Sequence, residues 1–110
     1  LVSLTDACLS FGVSPTAARN WIARGYLPNL KSDGTGKHRR LNRKDIERLV
    51  VLSHLATDYN LPAAARYAGQ IVESASSATG MTIVAAGSGY VGVNVQAIMA
   101  ERIKQRSAAH

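Results

Sequence analysis

The sequence predicts a mainly α-helical fold with small β-hairpins, and three observations carry that expectation. Apolar residues recur at three- and four-residue spacing in five stretches. Ser, Asn, Pro and Gly stand where those stretches start and stop. Around residues 26–41 and 81–95 the pattern changes to short extended runs interrupted by glycine. At 110 residues the chain is one small domain, or one domain with an appendage. Aromatics make up only 5% of it, so Leu, Ile, Val and Ala must build the core. The expected division is residues 1–58 and residues 59–110.

Ser3 followed by Asp6 has the spacing of a capping box, which opens a short helix over Leu4–Leu9. Leu4, Ala7 and Cys8 share one face of it, and Gly12 stops it because glycine accepts the left-handed conformation past a helix end. Ser14 and Pro15 then supply an N-cap and a first-turn proline. In this second helix Ala18, Trp21 and Ile22 form the buried stripe, and Gly25 closes it. Two short helices joined by Phe11-Gly12-Val13 have the outline of a helix-turn-helix.

Tyr26-Leu27-Pro28 can start a strand, Lys31–Lys37 is polar and holds Gly34 and Gly36, and His38–Leu41 can return as a second strand. That reads as a hairpin with a flexible tip, the wing of a winged helix-turn-helix. Asn42 caps a third helix from Arg43 to about Thr57, with Ile46, Leu49, Val50, Leu52 and Leu55 at core spacing. A fourth helix is expected from near Pro62 to about Ser76. Met81–Ala86 and Tyr90–Val95 flank Gly87-Ser88-Gly89 as a second hairpin. Gln96–Arg106 follows as an amphipathic C-terminal helix with Ile98, Met99 and Ile103 on one side. Tyr90, Val91, Val93 and Val95 would make an edge prone to pairing, met either by a partner strand or by the chain's own helices. The whole reads as a winged helix-turn-helix followed by helix, β-hairpin and C-terminal helix, with residues 59–110 as an oligomerisation region.

Charge narrows the function. Thirteen Lys and Arg stand against seven Asp and Glu, a net +6, with an isoelectric point near 10.0. Residues 1–50 hold nine basic and four acidic side chains, and residues 51–110 hold four and three, so the halves carry +5 and +1. A polyanion would meet the first half. The single cysteine, Cys8, excludes an internal disulfide and any multi-cysteine zinc site. In its apolar stretch it is expected as a small buried hydrophobe. His38, His54 and His110 are scattered, so no metal site, and no cofactor, is expected. The sequence has no paired carboxylates, Ser-His-Asp arrangement or phosphate loop; Gly87–Gly92 is glycine-rich but lacks a strand-turn-helix setting. No enzyme is expected. No run of about 18 apolar residues and no signal-peptide pattern occurs, so no membrane partner is expected. The first residue is Leu1 rather than Met, and the chain is expected to be a piece of a longer one.

Duplex DNA needs one α-helix for its major groove and cationic or amide donors for the flanking phosphates. Ser14, Thr16, Ala17, Arg19 and Asn20 lie on the capped second helix away from its apolar stripe. Arg19 suits guanine or a phosphate, and Asn20 suits an adenine edge. Lys37, His38, Arg39 and Arg40 follow the glycine-rich tip. Strand alternation lets only alternate members face one groove. One of Arg39 and Arg40 is expected to meet a phosphate or enter the minor groove, and the other can pair with Asp45 or Glu47. Arg43 completes the candidate DNA-binding set.

The ordered segments Gly12–Trp21, Gly25-Tyr26-Leu27-Pro28, Gly36–Leu41 and Asp45–Leu49 resemble the DNA-binding domain of the MerR family and the related excisionases over about residues 3–55. The resemblance implies that the second helix enters the major groove and that the hairpin rests on the backbone. It matches Arg19 to the recognition-helix arginine and Arg39 and Arg40 to the wing arginines. The sequence departs from the family at Lys37, where a second glycine is usual, and at Leu41, where an aromatic is usual. Nothing after residue 60 resembles the family's long dimerisation helix or its effector-binding part, so metal sensing is not expected and no small-molecule effector is evident. The expectation is a bacterial or phage-type transcriptional regulator, cytoplasmic and nucleoid-associated, that binds double-stranded DNA as a homodimer or a tandem assembly. The alternative is an architectural or accessory protein of the excisionase or small-terminase kind.

Overall fold

Helices begin where a short polar side chain can take over an unpaired backbone N–H. The computed structural model describes residues 2–28, 30, 40–74 and 80–108. Its helices are α1 (Leu4–Phe11), α2 (Pro15–Ala23), α3 (Arg43–Leu55), α4 (Leu61–Ser74) and α5 (Val95–Ala108). Each starts the same way: Ser3, Ser14, Asn42, Asn60 and Asn94 accept, through a side-chain oxygen, the N–H three residues on. At α3 the exchange is reciprocal, because Asp45 accepts the N–H of Asn42 in turn. The caps at Asn60 and Asn94 were not foreseen. The fourth helix was expected to about Ser76; α4 is described as far as Ser74, and residues 75–79 lie outside the described residues.

Two short antiparallel sheets accompany the helices. β1 (Val2–Ser3) pairs with β2 (Arg40–Leu41), Val2 opposite Leu41 and Ser3 opposite Arg40. β3 (Thr82–Ala86) pairs with β4 (Gly89–Val93) through the turn at Gly87-Ser88. Gly87 adopts φ +61° there, which glycine tolerates without steric cost. The second hairpin is thus present, with a two-residue turn.

The expected strand at Tyr26–Pro28 is corrected. Residues 24–28 form turns and bends, and the strand at Arg40–Leu41 takes Val2–Ser3 as its partner instead. The cause lies at the end of α2. Gly25, at φ +80°, donates to the Ile22 carbonyl, and Tyr26 donates to the Trp21 carbonyl, which commits these residues to closing the helix. Leu27 is then buried as a plug at 1% exposure rather than extended along a sheet. The tip at Lys31–Lys37 lies outside the described residues.

α3 is the central helix. Leu49, Val50, Val51 and Leu52 are all fully buried, a consecutive run that only a helix covered on several sides can hide. α4, α5 and β2 pack on it, and α5 also packs on α1. One continuous cluster runs from Ala7, Cys8 and Trp21 through α3 and α4 to Val91, Val93, Val95 and Met99. Val91, Val93 and Val95 therefore face the chain's own helices, and of the four residues expected on an open edge only Tyr90 is exposed. Ile98 and Met99 pack on the core, whereas Ile103 is 51% exposed.

Candidate nucleic-acid interface

The turn between α1 and α2 is set by backbone chemistry. Gly12 takes φ +68°, and the N–H of Val13 donates to the Cys8 carbonyl at 2.9 Å, closing α1. Val13 is buried, Ser14 caps α2, and Pro15 occupies the first turn without losing a hydrogen bond. The hydrophobic effect then orients α2. Ala18 and Trp21 point into the core, so Thr16, Arg19, Asn20 and Ala23, at positions i, i+3, i+4 and i+7, form the exposed face. Ser14 is exposed at the start of this helix, and Ala17 is half-buried against the core.

Arg19 reaches the N-terminal turn of α1, and Arg40 lies in the strand that pairs with the residue capping that turn. The Arg19 guanidinium extends from α2 to Thr5 Oγ1 at 3.5 Å. From the other side Arg40 lies across the ladder from Ser3, the residue that caps α1. Neighbouring side chains of a strand point to opposite faces, so burial of Leu41 turns Arg40 toward solvent. Arg19, Thr5 and Arg40 therefore frame one end of α1, where the N-terminal amides add partial positive charge. Thr5 was not foreseen as part of this face. Its only signal in the sequence is its place two residues after a helix cap.

Arg43 is engaged within the molecule. Its Nε donates to Glu47 Oε2 at 3.2 Å, and its Nη2 donates to Gln96 Oε1. Gln96 Nε2 completes the set by donating to Glu47 Oε2 at 3.1 Å. Glu47 is only 7% exposed, so these two donors satisfy a carboxylate buried between α3 and α5. Among the described residues Glu47 pairs with Arg43 and not with Arg40. Lys37, His38 and Arg39 lie outside the described residues.

Cys8 is fully buried directly beneath this region. Burial pushes its thiol pKa up, and the charge of Arg19 opposes that in part. Among the described residues no group of three or more His, Cys, Asp and Glu could hold a metal ion. Among them, too, no helix is long and apolar enough to cross a membrane.

Comparison with known families agrees with this geometry. The family model of a helix-turn-helix domain matches residues 1–50. That span takes in α1, α2, β2 and the start of α3, so this part of the chain is a helix-turn-helix domain of the DNA-binding kind. Comparison with curated proteins and with solved structures gives no significant match.

Proposed function

We propose that the chain is a sequence-specific, double-stranded-DNA-binding transcriptional regulator of bacterial or phage type. It acts as a homodimer or tandem assembly on cytoplasmic, nucleoid-associated DNA, by binding rather than by catalysis. In this reading α2 enters the major groove and presents Thr16, Arg19 and Asn20 to base edges. Arg40 and the segment before it, including Lys37, His38 and Arg39, rest on the phosphate backbone as a MerR-like wing. The observation that carries the reading is that Arg19, on the exposed face of α2, hydrogen-bonds to the first turn of α1, while Arg40 lies across the ladder from Ser3, the cap of that same turn. One duplex can touch both. The charge supports it, because nine of the thirteen basic residues fall in residues 1–50.

Selection of bound fragments from random and genomic DNA, followed by footprinting, tests this function. Enrichment of one short sequence over promoters is the expected result. Protection confined to recombination or packaging ends would assign an accessory role of the excisionase or small-terminase kind. Equal affinity for all sequences would overturn sequence-specific regulation.

A further inference from the structure

Among the described residues, the outer face of the β3–β4 hairpin is apolar, uncharged and uncovered. Alternation along the strands sends Val84, Val91 and Val93 inward and leaves Ile83, Ala85, Tyr90 and Gly92 on the outside, with Met81 at the margin. Met81, Ile83 and Tyr90 are 62%, 61% and 77% exposed. Side chains of this size at these exposures offer on the order of 400–500 Å² of apolar surface, as large as the patches that mark interaction sites on soluble proteins.

The register gives the face a shape. Ile83 lies opposite Gly92, and Ala85 lies opposite Tyr90. Large residues therefore occupy one diagonal of this four-residue patch and small residues the other. A diagonal pattern of this kind is complementary to its own copy. When two faces meet about a two-fold axis along the strands, Tyr90 meets the recess at Ala85 and Ile83 meets Gly92, which Met81 roofs. About a two-fold axis across the strands, Ile83 meets the recess at Ala85 and Tyr90 meets Met81 over Gly92. Either way one bulky residue finds open space at Ala85 and the other packs on Met81. The thioether of Met81 lies over Gly92, 3.2 Å from where a Cβ would stand, and its unbranched chain is the kind that repacks readily at an interface.

We infer that the outer face of the β3–β4 hairpin, built by Ile83, Ala85, Tyr90 and Gly92, is the surface on which a second copy of this chain docks, making a two-fold dimer. The inference rests on the oligomeric part of the function proposed above and names its interface. Two such faces together bury at most about 800–1,000 Å², the size of a weak, reversible interface. Charge favours the same occupant. The hairpin belongs to residues 51–110, which carry +1, so pairing here keeps the +5 of each first half apart. A lipid surface would call for cations flanking the apolar residues, and this face carries none. The dimer would present two copies of α2, as two half-sites of DNA require.

Sedimentation equilibrium of the full chain without DNA, across the micromolar range, tests this. The expected result is a reversible monomer–dimer equilibrium. Tyr90→Glu should raise the dimer dissociation constant by about tenfold or more, through a charge placed in the apolar centre. Ala85→Tyr adds apolar area but fills the recess, so it should also weaken the dimer. Both side chains are solvent-exposed, and unchanged helical circular dichroism and melting would show that the subunit still folds. A dimer unaffected by Tyr90→Glu would overturn this interface while leaving oligomerisation in place. A dimer tightened by Ala85→Tyr would show an unspecific sticky patch and overturn the complementarity. A chain that is monomeric throughout would overturn both the interface and the oligomeric reading, and flotation of that monomer with anionic vesicles would give the face to a membrane.

Discussion

Arg102 of the last helix donates to the carbonyl of Phe11, the last residue of α1, at 3.0 Å, and its other terminal nitrogen donates to Ser53 Oγ of α3 at 2.8 Å. One guanidinium thus ties the helix-turn-helix turn to the centre and to the C-terminal end of the chain. It sits where the α1 dipole is negative and a carbonyl would otherwise be unpaired. The tie costs something, because burial lowers the Arg102 pKa.

Arg102→Ala should therefore destabilise the whole fold and not only its last helix. Loss of two hydrogen bonds from a partly exposed charged donor is expected to cost about 2 kcal/mol. For a chain of this size that lowers the melting temperature by roughly 10 °C. Calorimetry should show one transition shifted down. If the melting temperature stayed within a degree of wild type, Arg102 would be a bystander. Separate melting of residues 95–108 would show that α5 is only loosely attached.

The wing side of the interface can be read from salt dependence. If Arg40 neutralises a phosphate, Arg40→Ala should weaken binding to every sequence alike. It should also flatten the slope of log K against log salt by about 0.9. Titrations at several salt concentrations measure this directly, and an unaltered slope would remove Arg40 from the backbone contacts.

Arg19 should behave differently. It stands on the exposed face of α2 and its guanidinium is already held near Thr5. Arg19→Ala is expected to cost roughly 1–3 kcal/mol on the preferred site and little on random DNA. Thr5→Ala, which removes the positioning contact and keeps the charge, should cost less than Arg19→Ala on the same site. Equal losses on preferred and random DNA would demote Arg19 to a phosphate contact.

What was legible in the sequence was local. Ser3, Ser14 and Asn42 announce helices because a cap acts over three residues, and Gly12 and Gly25 announce ends because both take positive φ. The β1–β2 pair was hidden because it joins residues nearly forty positions apart through strands of two residues each, too short to show alternation. Tyr26–Pro28 misled because Tyr26, a β-favouring residue, is drafted into closing a helix, and tertiary context overrides such propensity. The candidate site divides the same way. Arg19 and Asn20 were found from the helix period, whereas Thr5 joins the face only through a side chain fourteen residues further on. The intramolecular partners of Arg43 were not legible, because a charge in sequence does not reveal its partner. Glu47 and Gln96 come to it only once α3 and α5 have packed together.

The turn of the helix-turn-helix makes its own prediction. Gly12 has open space around the position a Cβ would take, so the cost of Gly12→Ala is conformational rather than steric with neighbours. At φ +68° a non-glycine residue pays about 1–2 kcal/mol. Urea unfolding should show a loss of that size with an unchanged m-value. Gly92→Ala, by contrast, crowds the unbranched Met81 side chain and touches Ile83 at ordinary contact distance, and should cost less. A larger loss at Gly92 than at Gly12 would mean that the turn is not held left-handed.

Cys8 supplies a pH dependence whose sign follows from its burial. The thiol is fully buried and its pKa is raised, chiefly by desolvation, with Arg19 pulling the other way. The folded state therefore holds the thiol proton more tightly than the unfolded chain does. Its contribution to stability is complete below the ordinary thiol value of about 8.5, and is lost as pH rises from there through the raised folded value. Other groups also titrate in this range, so the comparison is with Cys8→Ala, which removes the thiol at the cost of a small cavity. The variant should be less stable near neutral pH by about 1 kcal/mol, and the gap should narrow steadily as pH rises above about 8.5. Urea denaturation at half-unit pH steps measures it. A gap constant across that range would mean that the thiol meets water in the folded state, and the packing of α1 against α2 over Cys8 would be wrong.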